Sequence, residues 1–264
     1  MPKRSSICLI NAKFKKDKDI FIKKIAKLVK KRKNIGFAGY NSRKDLEKNL
    51  SWQIFDKNSP DKNFAFDKEK IKKITKETLR KCLREINEKL YIFIFPSYNK
   101  FTNQKMGGVG GNFSKYHVML IFVNTSVKNW GNNLKETLCH EFAHVVSPHY
   151  NPWDNTIGER IIFEGIAENF QEDILKERKS MFSRILKENE CKEIFEKISQ
   201  KLNSKNSKEQ DQLFYGSKEY KHWTGYALGY WLVKKYLKGT KKIDWKSVIK
   251  KNPNTILLEI KKKL

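Results

Sequence analysis

Apolar residues fall in short blocks through the first half of this chain and at helical spacing through most of the second. Ile7-Cys8-Leu9-Ile10 and Tyr91-Ile92-Phe93-Ile94-Phe95 are strand-length runs, which predict strands over 6–11 and 91–95, the second stopped by Pro96. Ile20, Phe21, Ile25, Leu28 and Val29 among lysines predict a helix over 17–33. Ile71, Ile74, Leu79, Leu83 and Ile86 predict a long amphipathic helix over 67–89. Residues 36–63 mix turn formers with Trp52, Ile54 and Phe55 and show no clear period.

Gly107, Gly108, Gly110 and Gly111 lead into a second strand over 117–123. Glycines placed so fit a hairpin or bulge, or allow another chain to come close. They do not make a phosphate loop, because the Gly-Lys-Ser/Thr ending is absent. Beyond residue 130 the pattern is helical. One helix, capped by Asn132 or Asn133, runs to about 146 ahead of Pro148, and a loop with Pro152 and Trp153 follows. Helices are expected over 156–176, 180–202 and 218–237, with two short ones at the end and a polar loop over 203–212. This layout predicts an α+β fold in one domain over 1–264, with a lobe of small sheet and helices to about 130 and a mainly helical lobe over 131–264.

The 264 residues are 39% hydrophobic, which suffices for a sizeable core and excludes global disorder. No apolar run approaches the ~20 residues of a membrane span. Charges interrupt the chain after Met1-Pro2-Lys3-Arg4, so no secretory signal is expected. Cys8, Cys82, Cys139 and Cys191 are scattered without CxxC spacing, which suits reduced, packed thiols and a cytoplasmic location. The net charge is +27, yet 48 of the 56 basic residues are lysine. Nucleic-acid recognition favours arginine, so a solvated lysine-rich surface is the preferred reading, with attraction to nucleic acid or an anionic surface as the alternative. From 136 to 173 the balance reverses, with eight acidic residues against Arg160 alone. Acid is concentrated where a divalent cation would sit.

That segment holds His140-Glu141-Phe142-Ala143-His144. Positions four apart on a helix differ by roughly 40° and share a face, so the two imidazoles can chelate one ion. Glu141, one residue round, can reach a water on that ion without ligating it. A carboxylate follows on the next helix, in Phe163-Glu164-Gly165-Ile166-Ala167-Glu168. Two histidines and one carboxylate suit zinc and leave a position open for chemistry. The plainer alternative is a pair of histidines on an ordinary surface helix. His117 and His149 stand at no ligand spacing and read as structural or surface residues.

HEFAH followed after 19 residues by Glu164 resembles the gluzincin metallopeptidases, including thermolysin-like enzymes and zinc aminopeptidases. More specifically, the chain resembles a poorly characterised family of predicted zinc-dependent proteases with HExxH, Glu-Gly-x-Ala-Glu and Gly-Tyr-x-x-Gly motifs, the last present as Gly225-Tyr226-Ala227-Leu228-Gly229. The resemblance implies a zincin-like fold, zinc ligands His140, His144 and Glu164, Glu141 as general base, and a peptide or protein substrate. It makes Glu168 either the carboxylate that orients a ligand histidine or the third ligand itself; a salt bridge to a lysine is the plain alternative. Tyr226 and then His222 are candidate oxyanion donors, with Tyr220 and Tyr230 behind them, although core packing explains Tyr226 and Tyr230 equally well. Gly108, Gly110 and Gly111 would bind extended peptide through their backbone. Phe163 stands where aminopeptidases have Asn, and no Gly-x-Met-Glu-Asn segment occurs, so recognition of a free N-terminus is not implied. A different class remains: a basic binding protein with a vestigial or structural zinc site, against which the intact Glu141 argues.

Overall fold

Two blocks of apolar sequence become the centre of a sheet. In the computed structural model, β2 (Tyr91–Pro96) and β4 (Val118–Val123) are parallel neighbours, flanked by parallel β1 (Ser6–Leu9) and antiparallel β3 (Val109–Ser114), giving the order β1-β2-β4-β3. Every residue of β4 is buried, as parallel strands covered on both faces require. The structure describes residues 5–10, 17–30, 37–38, 40–57, 59, 64–114, 117–151, 154–176 and 180–263. Expectations placed on residues 1–4, 11, 31–33, 152–153 and parts of 36–63 lie outside the described residues. The chain divides into two units, Met1–Val145 and Val146–Leu264.

The first unit also holds α1 (Lys18–Lys30), α2 (Arg43–Ile54), α3 (Lys68–Glu85), α4 (Lys100–Lys105) and most of α5 (Trp130–Val146). Asp67 starts α3 by accepting a hydrogen bond from the Lys70 amide at 3.0 Å, and Ile71, Ile74, Leu79 and Cys82 form its buried stripe. The core gathers Phe21, Ile25, Leu46, Leu50, Phe93 and Phe122. α2 answers the unassigned stretch. Ser42 caps it, accepting from the Asp45 amide at 3.1 Å, and Leu46, Leu50 and Ile54 bury one narrow stripe. The glycine-rich segment is itself a strand, at the sheet edge. Gly107 and Gly108, at φ of 62° and 83°, turn the chain into it. Asn133 does not cap α5, which begins earlier at Trp130; its amide instead donates to the Gly107 carbonyl at 2.7 Å.

The second unit holds α6 (Ile157–Leu175), α7 (Glu188–Ile198), α8 (Ser207–Tyr215), α9 (Thr224–Leu237), α10 (Trp245–Lys250) and α11 (Pro253–Lys261), with 3-10 turns at Phe182–Arg184 and Ser199–Lys201. A capping box starts α6: the Glu159 amide donates to Thr156 Oγ1 at 3.2 Å and the Thr156 amide to the Glu159 carboxylate at 2.8 Å. Three expectations change here. The helix expected over 180–202 is broken: the 3-10 turn at Phe182–Arg184 stands apart from α7, and the Ser183 amide donates to Ser180 Oγ at 3.3 Å. The helix expected over 218–237 begins at Thr224, since Trp223 takes a left-handed φ of 69°. The polar loop expected over 203–212 contains the start of α8, where Asn206 accepts from the Lys208 amide at 3.0 Å and Gln210, Leu213 and Phe214 are buried.

α6 and α9 cross backbone to backbone. A Cβ on Gly165 would stand 2.2 Å from the Gly229 carbonyl oxygen, and one on Gly229 would stand 2.2 Å from the Ile161 carbonyl oxygen. Asn169 locks the crossing by donating to the carbonyls of Gly165 at 2.8 Å and Tyr230 at 3.0 Å. Among the described residues, no helix is long and apolar enough to cross a membrane. Gly229→Ala is expected to destabilise the protein by about 3 kcal/mol or more, because backbone must move. Gly239→Ala has open space and strains only a φ of 88°, so about 1 kcal/mol is expected. Urea denaturation of both variants measures the difference.

Candidate metal centre

α5 presents His140 and His144 from successive turns. Their rings meet edge to face with centroids 4.7 Å apart, and the two Nε2 atoms are 3.0 Å apart. Two nitrogens bound at about 2.0–2.1 Å to a tetrahedral ion would stand about 3.3 Å apart, so the pair fits one zinc. The opposite side of α5 explains the helix itself: Leu134, Leu138, Cys139 and Phe142 are fully buried. All four cysteines are free thiols. Burial first, and the hydrogen bond with Cys82 second, push the Cys139 thiol well above its ordinary pKa, so it stays a packed thiol rather than a ligand.

Glu164, on α6, is 3% exposed. His140, His144 and Glu164 each offer a ligand atom, and these atoms lie within 4.8 Å of one another. This donor set, two imidazoles and one carboxylate, fits a divalent transition metal. Glu168 is not in the group. It lies one turn further along α6, where it accepts a hydrogen bond from the Ser180 hydroxyl.

Glu141 is 8% exposed and packs against β3. A Cβ on Gly111 would lie 2.4 Å from Glu141 Cγ and 2.5 Å from Oε1, so a side chain there would displace the Glu141 carboxylate. Gly108 and Gly110 have other surroundings. The Gly108 amide donates to the Thr102 carbonyl at 2.9 Å and its carbonyl accepts from the Asn124 amide at 2.8 Å, while Gly110 faces Thr102.

Of the four oxyanion candidates, Tyr226 stands in the field of Glu164. Burial first and the Glu164 carboxylate second raise its phenol well above the ordinary value. Its ring packs among Phe182, Phe214 and Trp223 at centroid distances of 5.4, 5.5 and 5.5 Å, so it also serves the core. His222 precedes α9, is exposed, and meets Trp223 edge to face at 4.8 Å. The Tyr230 hydroxyl donates to Glu172 beside a cleft of about 1100 Å³ that contains none of the three metal-ligand candidates. Tyr220 lies beside Lys197. His117 and His149 are exposed and outside the group.

Sequence reasoning missed a cluster around Glu164. Burial works to lower the pKa of Arg160, one turn earlier on α6, but the Glu164 carboxylate and, once ionised at high pH, the phenols of Tyr215, Tyr226 and Tyr150 outweigh it and raise the pKa. The available signal was Arg160's place as the single base among eight acids.

A helix-borne histidine pair with a buried carboxylate defines a protein able to hold one metal ion. Residues 71–258 match the family model described as "Predicted Zn-dependent protease (DUF2268)", and the chain belongs to that family. No curated protein and no solved structure matches it. His144→Ala is expected to weaken zinc binding at least ~100-fold, whereas His149→Ala leaves it unchanged. Competitive chelator titration of the two variants gives the comparison.

Proposed function

We propose that this protein is a zinc-dependent peptidase of zincin-like, gluzincin type, acting as one domain on peptide or protein substrates. The observation that carries the reading is the convergence of His140, His144 and Glu164 within 4.8 Å, with Glu141 next along the helix from His140. His140, His144 and Glu164 would hold the ion. When bound, zinc supplies a Lewis acid that polarises a carbonyl and lowers the pKa of a water to about 7. Glu141 takes the proton of the attacking water and returns it to the leaving nitrogen. Tyr226, a protonated phenol, donates to the developing oxyanion, with His222 as the second candidate. Glu168 supports the centre from one turn beyond Glu164. The four scattered thiols suit a cytoplasmic setting.

β3 provides the substrate surface. Gly108 accepts from the Asn124 amide, and Val109 is paired with Val123, so Gly110 and Asn112 bond across to β4. Val109, Gly111 and Phe113 therefore turn their backbone groups to the outer edge, where the Val109 amide bonds the Met106 carbonyl at 3.4 Å. The Phe113 amide fits this placement, since it bonds the Asn112 side chain at 2.8 Å rather than the sheet. Gly111 is thus the point where an extended peptide can pair with backbone beside Glu141. Gly108 and Gly110 shape the approach.

Glu141→Gln is expected to keep zinc at about one per chain and to lose peptide hydrolysis by at least ~100-fold. Full activity in that variant would remove Glu141 from the mechanism. Gly111→Ala is expected to fold normally, since the flexible Glu141 side chain can yield, yet to lose activity by at least ~10-fold. Zinc analysis and a peptide-library digest of the same preparations measure both.

A further inference from the structure

Arg160 is a half-buried cation held by neutral partners. Its Nη1 donates to Gln210 Oε1 at 3.4 Å and its Nη2 to the Tyr215 hydroxyl at 3.1 Å. The guanidinium lies over the Phe214 ring at 4.1 Å from the centroid. Among the described residues, no carboxylate lies within ion-pair distance of it. Several lysines of this unit, by contrast, are ion-paired: Lys234 with Glu172 at 2.9 Å, Lys235 with Glu188 at 2.7 Å and Lys221 with Glu190 at 2.6 Å. A guanidinium carries five N–H donors in a planar fork, and two are engaged here. Burying part of a charge without an opposite charge is costly, and a carboxylate arriving in the fork offsets that cost.

The surroundings favour a ligand of mixed character. Tyr215 is 42% exposed and stands edge to face with Trp223 at 6.2 Å, while Phe182 and Tyr226 continue the aromatic wall. The fork and the wall lie in the neighbourhood of Glu164, whose charge Arg160 feels.

We infer that Arg160 determines specificity: its guanidinium anchors a carboxylate of the substrate peptide, with an apolar side chain resting on the wall of Tyr215 and Trp223. The inference rests on the peptidase reading of the same site. The carboxylate is either the free C-terminus or an Asp or Glu side chain. Either would give a charge-assisted, two-pronged contact that lysine reproduces only in part.

The test is calorimetric binding to the full chain carrying Glu141→Gln, loaded with zinc, so that no turnover intervenes. Two matched pairs of short phenylalanine-containing peptides serve as probes. One pair differs only in a C-terminal acid or amide, the other only in an internal Glu or Gln. One acidic member is expected to bind about tenfold or more tighter than its neutral partner, and the pair that discriminates names the carboxylate. Adding Arg160→Met, whose stem keeps the Phe214 contact, is expected to bring that ratio to within about twofold. The neutral peptide's affinity and the zinc content should stay unchanged, which loss of structure would not allow. Arg160→Lys should keep part of the ratio. Equal binding of acid and neutral peptides with Arg160 present, or no binding of either, overturns the inference even if Arg160→Met fails to fold. So does a ratio that survives Arg160→Met. Hydrolysis by the unmodified protein is scored separately. Discrimination without hydrolysis would leave the anchor and remove the peptidase, and the converse would leave the peptidase and remove the anchor.

Discussion

Where α6 crosses α9 there is no room for a side-chain carbon, and the placement of Glu164 follows from that contact. Gly165 and Gly229 bring the two backbones to a separation that any larger residue would open, and Asn169 ties both chains at the crossing. Glu164 is the neighbour of Gly165 and is held in a helix buried nearly all round. A carboxylate so deep in a helical unit is costly unless something compensates it. With His140 and His144, Glu164 is one of three side chains whose ligand atoms lie within 4.8 Å of one another, and a divalent cation there would offset its buried negative charge.

The same crossing gives the Gly-Tyr-x-x-Gly motif a physical meaning. Gly229 meets Gly165, and Gly225 makes way for the Phe214 ring, where a Cβ would come within 2.5 Å. Tyr226 between them reaches the field of Glu164 while packing in the aromatic cluster. Packing and chemistry share these residues, which is why neither reading of Tyr226 excludes the other.

Much of the scaffold was legible because periodicity and punctuation agreed. α3 has Asp67 ahead of a broad apolar stripe, and α6 has its Thr156 and Glu159 box. The central strands are unbroken apolar blocks. α2 was illegible because three anchors at fourfold spacing make too narrow a stripe to stand out from its lysines. α8 was hidden because its buried face includes a polar residue, Gln210, satisfied by the Asn155 carbonyl at 2.8 Å. At the site, the HExxH spacing exposed the histidine pair, since helix geometry alone sets it. The surroundings of Arg160 could not be read, because Phe214, Tyr215 and Gln210 reach it from a helix that looked like a loop, some 50 residues away. Likewise, spacing cannot say which glycine of four meets Glu141; strand register decides that it is Gly111.

Glu141 is bordered at Gly111 by main chain rather than by another side chain. Peptide dipoles are the same whatever residues the chain carries, so this flank of the carboxylate has an electrostatic character that substitutions elsewhere on β3 cannot retune. Sequence drift along the strand can alter what lies against its outer edge while the backbone that borders Glu141 at Gly111 stays the same. The arrangement separates what borders the Glu141 carboxylate on this side from what the outer edge of the strand presents.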